Sequence, residues 1–459
     1  MRAVTLSKDQ LRRLGFDDES LSLAETVLAQ LPPSWSKATL KTQLKAVLRN
    51  PAAYQSDPSF GELAATLLED SKLISFHCRD CVDWPNYSDG ERPLLGAQRL
   101  PISVYGAILP GRQPGLGLPV GGVLATRGAV IPRAVGRDIG CSVVLSVFNR
   151  RAGKFSQEMA DVLLENTRFG ARAGFAEFVN DPVFDDPVWS RNSTLKRARE
   201  AARMYFGSRG TGNHFADLGV FHVERDLLNL RSNFPYVALL THFGTRGAGQ
   251  QIATVYQQKA REYQELPKEL KDWAYLPLDT QEGQDFWDAQ DLCRRTALAG
   301  HRWLHGNIGR ALDCELLYQV ASCHNFAVQD GFRGEDVVVH RKGTIQLREG
   351  ELGIICGSML SPSKLVVGTE NEVSLWSAAH GAGRTMGRHQ ARRQYRGRAV
   401  KNELKEAGVR LLSGGQDEWP GVYREVGDVV RSHGSLIQVV GSFQPRLVAM
   451  NPHNDPAED

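Results

Sequence analysis

The segment Ala378-Ala379-His380-Gly381-Ala382-Gly383-Arg384 sets one imidazole among small residues. Small neighbours let a bulky ligand approach the ring, and the glycines let backbone N–H groups converge on an anion. Arg384, Arg388, Arg392, Arg393, Arg396 and Arg398 follow, and guanidinium groups suit phosphate. A neutral imidazole with one nitrogen held and the other free is a competent nucleophile toward phosphorus. The same pattern also describes an ordinary turn beside a solvated basic face, so the remaining motifs decide between the two.

Asp138-Ile-Gly-Cys141 stands just ahead of an apolar run. A carboxylate is hard and a thiolate soft, and together they suit a borderline divalent ion such as Mn, Zn or Co. A turn aspartate beside a buried cysteine accounts for the pair as well. His214 follows the glycine-rich stretch Gly207-Ser-Arg-Gly-Thr-Gly212, and His242 ends an apolar strand. His324 follows Ala321-Ser-Cys323, which reads as a helix end. Each histidine alone is also compatible with an ordinary core or surface position. Jointly, Asp138, Cys141, His214, His242 and His324 form a five-member ligand set, and a thiolate within it can bridge two metals. Cys78 and Cys81, with His77 beside them, form a CxxC that lacks a second pair at zinc-finger spacing. Cys293, Cys314 and Cys323 read as buried small residues in or near helices.

These residues need a scaffold, and the chain of 459 residues is long enough for two or three domains. Net charge is only +3, so any nucleic-acid surface is a local patch. The seven cysteines are odd in number and scattered, which points to free thiols in a reducing compartment. No apolar run is long enough to span a membrane. The first residues lack the apolar core of a signal peptide. The expected location is the cytoplasm.

Residues 1–75 read as helical. Leu21, Ala24, Leu28 and Leu31 recur at helical spacing before Pro32-Pro33, and Leu40, Leu44, Val47 and Leu48 do so before Pro51. This extension is a helical cap or a surface for a protein partner. From residue 76 to 450, β-branched runs alternate with glycine-rich turns, and 451–459 is a polar tail. Strands are expected over 121–135, 141–148, 237–241, 337–340, 353–356, 364–367 and 436–440. Helices are expected over 157–165, 194–205, 249–263 and a long segment, 284–318. The order lacks regular βαβ alternation, so the fold class is α+β.

Taken in order, the motifs resemble the RtcB family of RNA-splicing ligases. They are Gly115-Leu-Gly-Leu-Pro-Val-Gly-Gly122, Asp138-Ile-Gly-Cys141, Gly212-Asn-His-Phe215, Thr241-His-Phe-Gly-Thr-Arg-Gly247, His324-Asn-Phe326, His340-Arg-Lys-Gly343, Gly357-Ser-Met359 and His380-Gly-Ala-Gly-Arg384. The resemblance spans roughly residues 95–450. It implies mixed sheets and helices around a central metal and nucleotide cleft. It also implies a reaction: a 3′-phosphate or 2′,3′-cyclic phosphate RNA end joined to a 5′-hydroxyl end, using GTP and Mn²⁺. His380 matches the histidine that becomes guanylylated, and Arg246 an arginine near the reacting phosphate. Asp138, Cys141, His214, His242 and His324 match ligands of two metal ions, with the cysteine bridging. Asn213, Asp217, Asn325, Cys356, Gly357, Ser358, Met359, Ser363, Gly381, Ala382, Gly383 and Tyr423 match the nucleotide site, Tyr423 as the aromatic that stacks on guanine.

Six positions, in four places, depart from the family pattern. Gly111 and Gln113 stand where Asp and His are typical. Met450 replaces a near-terminal Lys that binds the guanine. Asp217 replaces a Glu. Cys356 and Leu360 replace a Pro and a Gly. The ligand set and His380 are intact, which favours a ligase with altered preference. The alternatives are a relative that holds RNA ends or nucleotide without sealing, and a metal-dependent phosphoesterase.

Overall fold

A computed structural model describes residues 6–14, 16, 18–32, 35–49, 51–71, 79–80, 94–170, 173–208, 210–227, 229–264, 266–395 and 397–452. His77, Cys78, Cys81, Arg396 and the last seven residues of the tail lie outside them. The chain divides into two compact units, Met1–Phe76 with Gln98–Pro101, and His77–Ala97 with Ile102–Asp459.

In the first unit, helices Lys8–Leu14, Asp18–Gln30, Lys37–Arg49 and Gly61–Ser71 gather Leu21, Ala24, Leu28, Leu31, Leu40, Leu44 and Val47 into one apolar cluster with Phe60 and Leu63. The helical spacing in the sequence is therefore the spacing of core contacts. The second helix stops ahead of Pro32 and the third ahead of Pro51. Proline lacks an N–H and disfavours helical backbone in the residue before it.

The second unit is α+β. Its larger sheet runs Leu352–Ile355, Ser363–Gly368, Ile437–Met450, Phe215–Val223, Tyr236–Phe243, Ser142–Arg151, Leu316–Cys323, with Arg410–Ser413 added beside Ile437–Met450. A second sheet runs Arg79–Asp80, Ser103–Gln113, Val120–Thr126, Glu335–Lys342, Asn325–Phe332. His324 is the single residue between a strand of one sheet and a strand of the other. A two-stranded pairing of Thr344–Gln346 with Ser377–Ala379 delivers the chain to His380. The helix Gln281–Ala311 starts where Thr280 Oγ1 accepts from Gly283 N–H, and it buries Phe286, Leu292, Leu304 and Ile308.

Register explains why distant residues converge. Phe215 pairs with His242, and Ser142 pairs with both Phe243 and Cys323. His214 and Cys141 stand just before two of these strands. His242 and His324 stand at or just after the ends of the other two. Because these neighbouring strands run antiparallel, all four lie at the same end of four adjacent strands.

Several expected elements differ. The run 121–135 is a strand only to Thr126, then the short Ala129–Val130 strand and a helical turn Pro132–Val135. Gly128 turns the chain with φ +56°, and Pro132 opens the helical turn at N1. The helix expected over 284–318 begins at Gln281 and ends at Ala311. After Asp313, at φ +51°, Leu316–Cys323 is a strand. His324 accordingly follows a strand end and not a helix end, and Cys323 lies in that strand. The last strand begins at Ile437 and runs to Met450, passing Pro445 at a register shift. Strands Ser103–Gln113, Phe215–Val223 and Asn325–Phe332 were not expected; each is short or interrupted by glycine in the sequence.

Candidate metal and nucleotide site

Five buried side chains meet at this end of the sheet. His214 Nε2 lies 3.0 Å from Asp138 Oδ2 and 3.5 Å from Cys141 Sγ. The same sulfur lies 3.2 Å from His242 Nε2, which lies 3.2 Å from His324 Nε2. Two triads result, Asp138–Cys141–His214 and Cys141–His242–His324, and Cys141 belongs to both. The local backbone is built for this approach. Gly244 leaves room for Asp138, since a Cβ there would stand 2.2 Å from Oδ1. The His324 N–H donates to the Cys141 carbonyl at 3.0 Å, and the Asn325 amide donates to the Asp138 carbonyl at 3.0 Å.

The donor set fits a divalent cation. His242 Nδ1 lies 3.0 Å from the Asn213 carbonyl, which only accepts, so the ring proton sits on Nδ1 and Nε2 presents a lone pair. Burial, with the neighbouring imidazoles adding, holds His242 and His324 well below the usual histidine range and therefore neutral. Asp138 Oδ1 is buried with no hydrogen-bond partner among the described residues. Neutral imidazoles, a carboxylate with a spare oxygen and a thiol are what a borderline metal ion takes up.

His380 adjoins this centre. Its ring stacks on His324 with centroids 4.6 Å apart. Its Nδ1 lies 2.6 Å from the Gly343 carbonyl, so Nδ1 carries the proton and Nε2 is a lone-pair donor. The following turn is tight: Gly383 has φ +73°, and a Cβ there would stand 2.1 Å from the Gly111 carbonyl. Cys356 N–H donates to the His380 carbonyl at 2.9 Å, and Ala382 N–H to the Cys356 carbonyl at 2.8 Å. A proline at position 356 would lack the first of these donors.

A cleft of about 720 Å³, open mouth included, runs from His242 and His380 to Met450. Asn213, Asp217, Cys356, Gly357, Ser358, Met359, Ser363, Gly381, Ala382, Gly383 and Tyr423 all line it. Asn325 and Arg246 do not. The Asn325 side chain bridges the Asp138 carbonyl and the Gly343 N–H. Arg246 is buried, donating to Ser208 Oγ at 3.2 Å and the Gly170 carbonyl at 2.9 Å, with its guanidinium over Tyr205. Phe215, Glu418, Phe443 and Pro445 also line the cleft and were not singled out from the sequence. Phe215 had one available signal, being two residues from Asp217 on the same face of a strand.

The arginine run has a different use from the one its composition suggests. Arg384 and Arg388 pair with Glu418, and Arg388 and Arg392 with Asp417, each at 3.2–3.3 Å where not closer. Tyr423 Oη also donates to Glu418. These charges are spent on buried carboxylates that brace the tyrosine, while Arg393 and Arg398 remain exposed.

The profile of tRNA-splicing ligase RtcB fits residues 95–178 and 153–451. The chain belongs to the RtcB family. It is 28% identical over 391 residues to RNA-splicing ligase RtcB of Escherichia coli K12, covering 78% of this chain and 92% of that one. It is 27% identical over 428 residues to tRNA-splicing ligase RtcB of Thermococcus kodakarensis, covering 76% and 88%. It is 28% identical over 432 residues to the tRNA-splicing ligase RtcB of Archaeoglobus fulgidus, again covering 76% and 88%. The helices Lys8–Leu14, Asp18–Gln30, Lys37–Arg49 and Gly61–Ser71 lie ahead of the matched residues.

Met450, Met359, Val448 and Trp419 form one apolar cluster, with Leu360 and Phe215 packed on it. Asp217 is buried there. Its Oδ1 has no partner among the described residues, and burial lifts the carboxyl well above its usual range, opposed in part by the Ala449 N–H. Among the described residues no helix is long and apolar enough to cross a membrane.

Proposed function

We propose that this chain is a GTP- and Mn²⁺-dependent RNA ligase. It joins RNA 3′-phosphate or 2′,3′-cyclic phosphate ends to 5′-hydroxyl ends through guanylylated His380. The observation that carries the reading is the His380 ring, which lies between the ligand cluster and the cleft with Nδ1 bound to Gly343 and Nε2 a lone pair. The family assignment and the names of the RtcB relatives support ligase chemistry on RNA.

His380 Nε2 attacks the α-phosphorus of GTP. An N–P bond forms, the bond to the β-phosphate oxygen breaks and pyrophosphate leaves. His380 keeps its proton on Nδ1 and donates it to the Gly343 carbonyl throughout, so the charge gained on attack is met by an oriented carbonyl. A 2′,3′-cyclic phosphate end is first opened by water to the 3′-phosphate and a free 2′-hydroxyl. An oxygen of the RNA 3′-phosphate then attacks the GMP phosphorus, the N–P bond breaks and the lone pair returns to Nε2. The 5′-hydroxyl attacks the RNA 3′-phosphorus, its proton passes to water, and GMP leaves. Asp138, Cys141 and His214 would hold one divalent ion, and Cys141, His242 and His324 a second. When bound, such ions supply Lewis-acid charge to phosphoryl oxygens. Tyr423 flanks the base, and Asp217 meets its edge.

The deciding experiment incubates the full chain with α-labelled GTP and Mn²⁺. Acid-labile label on His380 is the expected result. Its absence in a metal-loaded, folded sample would favour the non-sealing or phosphoesterase alternatives.

A further inference from the structure

Behind the strand that carries His242 lies a line of polar side chains that belongs neither to the ligand set nor to the cleft lining. Thr241 Oγ1 stands 2.7 Å from His301 Nδ1 and 2.6 Å from His305 Nε2. His301 Nε2 lies 3.2 Å from the Phe243 carbonyl. His305 Nδ1 lies 2.7 Å from Ser146 Oγ, which accepts from Gln319 Nε2 at 2.8 Å. Ser146, Thr241, His301 and His305 are at most 3% exposed.

The inventory of donors sets the direction of every bond. The Phe243 carbonyl only accepts, so His301 carries its proton on Nε2 and accepts at Nδ1. Thr241 therefore gives its single proton to His301, and its oxygen receives the Nε2 proton of His305. His305 then accepts at Nδ1 from the Ser146 hydroxyl, whose oxygen receives the Gln319 amide proton. In this arrangement each neutral imidazole is the Nε2–H tautomer.

Thr241 and Phe243 are the neighbours of His242 on either side. Both are fastened to helix Gln281–Ala311, which carries His301 and His305. An apolar contact would bury the same area, but it would not fix translation along the helix. Hydrogen bonds are directional and do. A chain of this kind is also costly when one member is missing, because its neighbours stay buried and unpaired.

We infer that Thr241, His301 and His305 are positioning residues for the metal centre, holding the backbone around His242 so that its Nε2 stands in register with Cys141 and His324. This rests on reading His242 as a metal ligand. Thr241→Val keeps the side-chain shape and removes the hydroxyl; Thr241→Ser keeps the hydroxyl. Mn²⁺ binding to the purified full chain is measured by titration calorimetry, and the imidazole tautomers by NMR of ¹⁵N-histidine-labelled wild-type protein. The valine variant should bind Mn²⁺ about 10- to 100-fold more weakly, the usual effect of losing outer partners of a metal ligand, and serine should restore it. His301 and His305 should report Nε2–H. A folded Thr241→Val that binds Mn²⁺ like wild type overturns the inference, as does either imidazole in the Nδ1–H or doubly protonated form at neutral pH. If the valine variant does not fold, Ser146→Ala at the other end of the chain carries the same test, with undiminished affinity again overturning it. A wild-type chain that binds no Mn²⁺ would instead refute the ligand assignment, and the tautomers would still test the chain.

Discussion

Cys141 Sγ lies 3.2 Å from His242 Nε2 in one triad, and it is also the sulfur of the other triad, 3.5 Å from His214 Nε2. One side chain therefore serves two candidate sites. Cys141→Ala should lose Mn²⁺ from both, while His214→Ala should lose it mainly from the triad with Asp138. Metal analysis of the purified variants checks this. Equal retention of wild-type stoichiometry by Cys141→Ala would refute the shared ligand. Both variants should lose nucleotidyl transfer.

Asp217 predicts a pH dependence. Burial favours its neutral acid in the free protein. Guanine offers N–H donors along one edge, and these need the carboxylate. Binding would then release a proton, so GTP affinity should rise up to about tenfold per pH unit below the raised pKa. Asp217→Asn should flatten that slope. For stability the sign is opposite. The folded chain holds a proton that the unfolded chain has lost above about pH 3.9, so this group's contribution falls as pH rises from there to the raised pKa. Asp217→Asn should therefore raise the Tm of the nucleotide-free protein at neutral pH. Melting curves across pH check the second claim, and calorimetric titration with a non-hydrolysable GTP analogue the first.

Met450 predicts weak base discrimination. A thioether cannot donate to the guanine carbonyl. The missing charge-assisted hydrogen bond is worth roughly 1.5–3 kcal/mol, or about ten- to a hundred-fold in affinity. Met450→Lys should sharpen the preference for GTP over ATP by about that factor, read as competition for label on His380. A wild-type chain already as selective as that variant would mean that another donor contacts the base.

Glu418 is 2% exposed as a side chain and is met by Arg384, Arg388 and Tyr423. Removing one partner of a buried ion pair leaves uncompensated charge, at a cost of about 3–5 kcal/mol. Glu418→Gln should lower the Tm accordingly and weaken nucleotide binding through Tyr423. An unchanged melting curve would show that the cluster is not a brace.

Which of these features could be read in the sequence depends on how local their cause is. In the first unit, the helices Asp18–Gln30 and Lys37–Arg49 follow from apolar spacing that stops ahead of Pro32 and Pro51. The candidate residues His214, His242 and His324 could be picked out because each stands at the edge of an element next to a small or amide residue, and Asp138 and Cys141 because a glycine lies between them ahead of an apolar run. Their convergence was not legible, because strand register is set by pairing between segments far apart in sequence. The helix run past Ala311 failed because Leu312, Cys314, Leu316, Leu317 and Tyr318 fit both periods. The arginines beside His380 misled because composition cannot say that Asp417 and Glu418 fold against them. The chain through Thr241, His301 and His305 was invisible for the same reason.

His380 carries the sharpest prediction. It lies outside both triads, so His380→Ala should keep the fold and the metal content. Its loss removes the imidazole whose Nδ1 is held by the Gly343 carbonyl and which lines the cleft outside the ligand set. Covalent GMP should disappear, and with it all sealing of a 3′-phosphate to a 5′-hydroxyl. An RNA supplied with a guanylylated 3′ end has already passed the step that needs the nucleophile. His380→Ala should still join that end, at a rate set by the metal centre and the RNA contacts. Gel assays of the two substrates side by side separate the outcomes. Failure on both, with metal retained, would point to a protein that holds RNA ends without sealing them. Normal GTP-dependent joining of the 3′-phosphate by His380→Ala would remove the imidazole from the mechanism altogether.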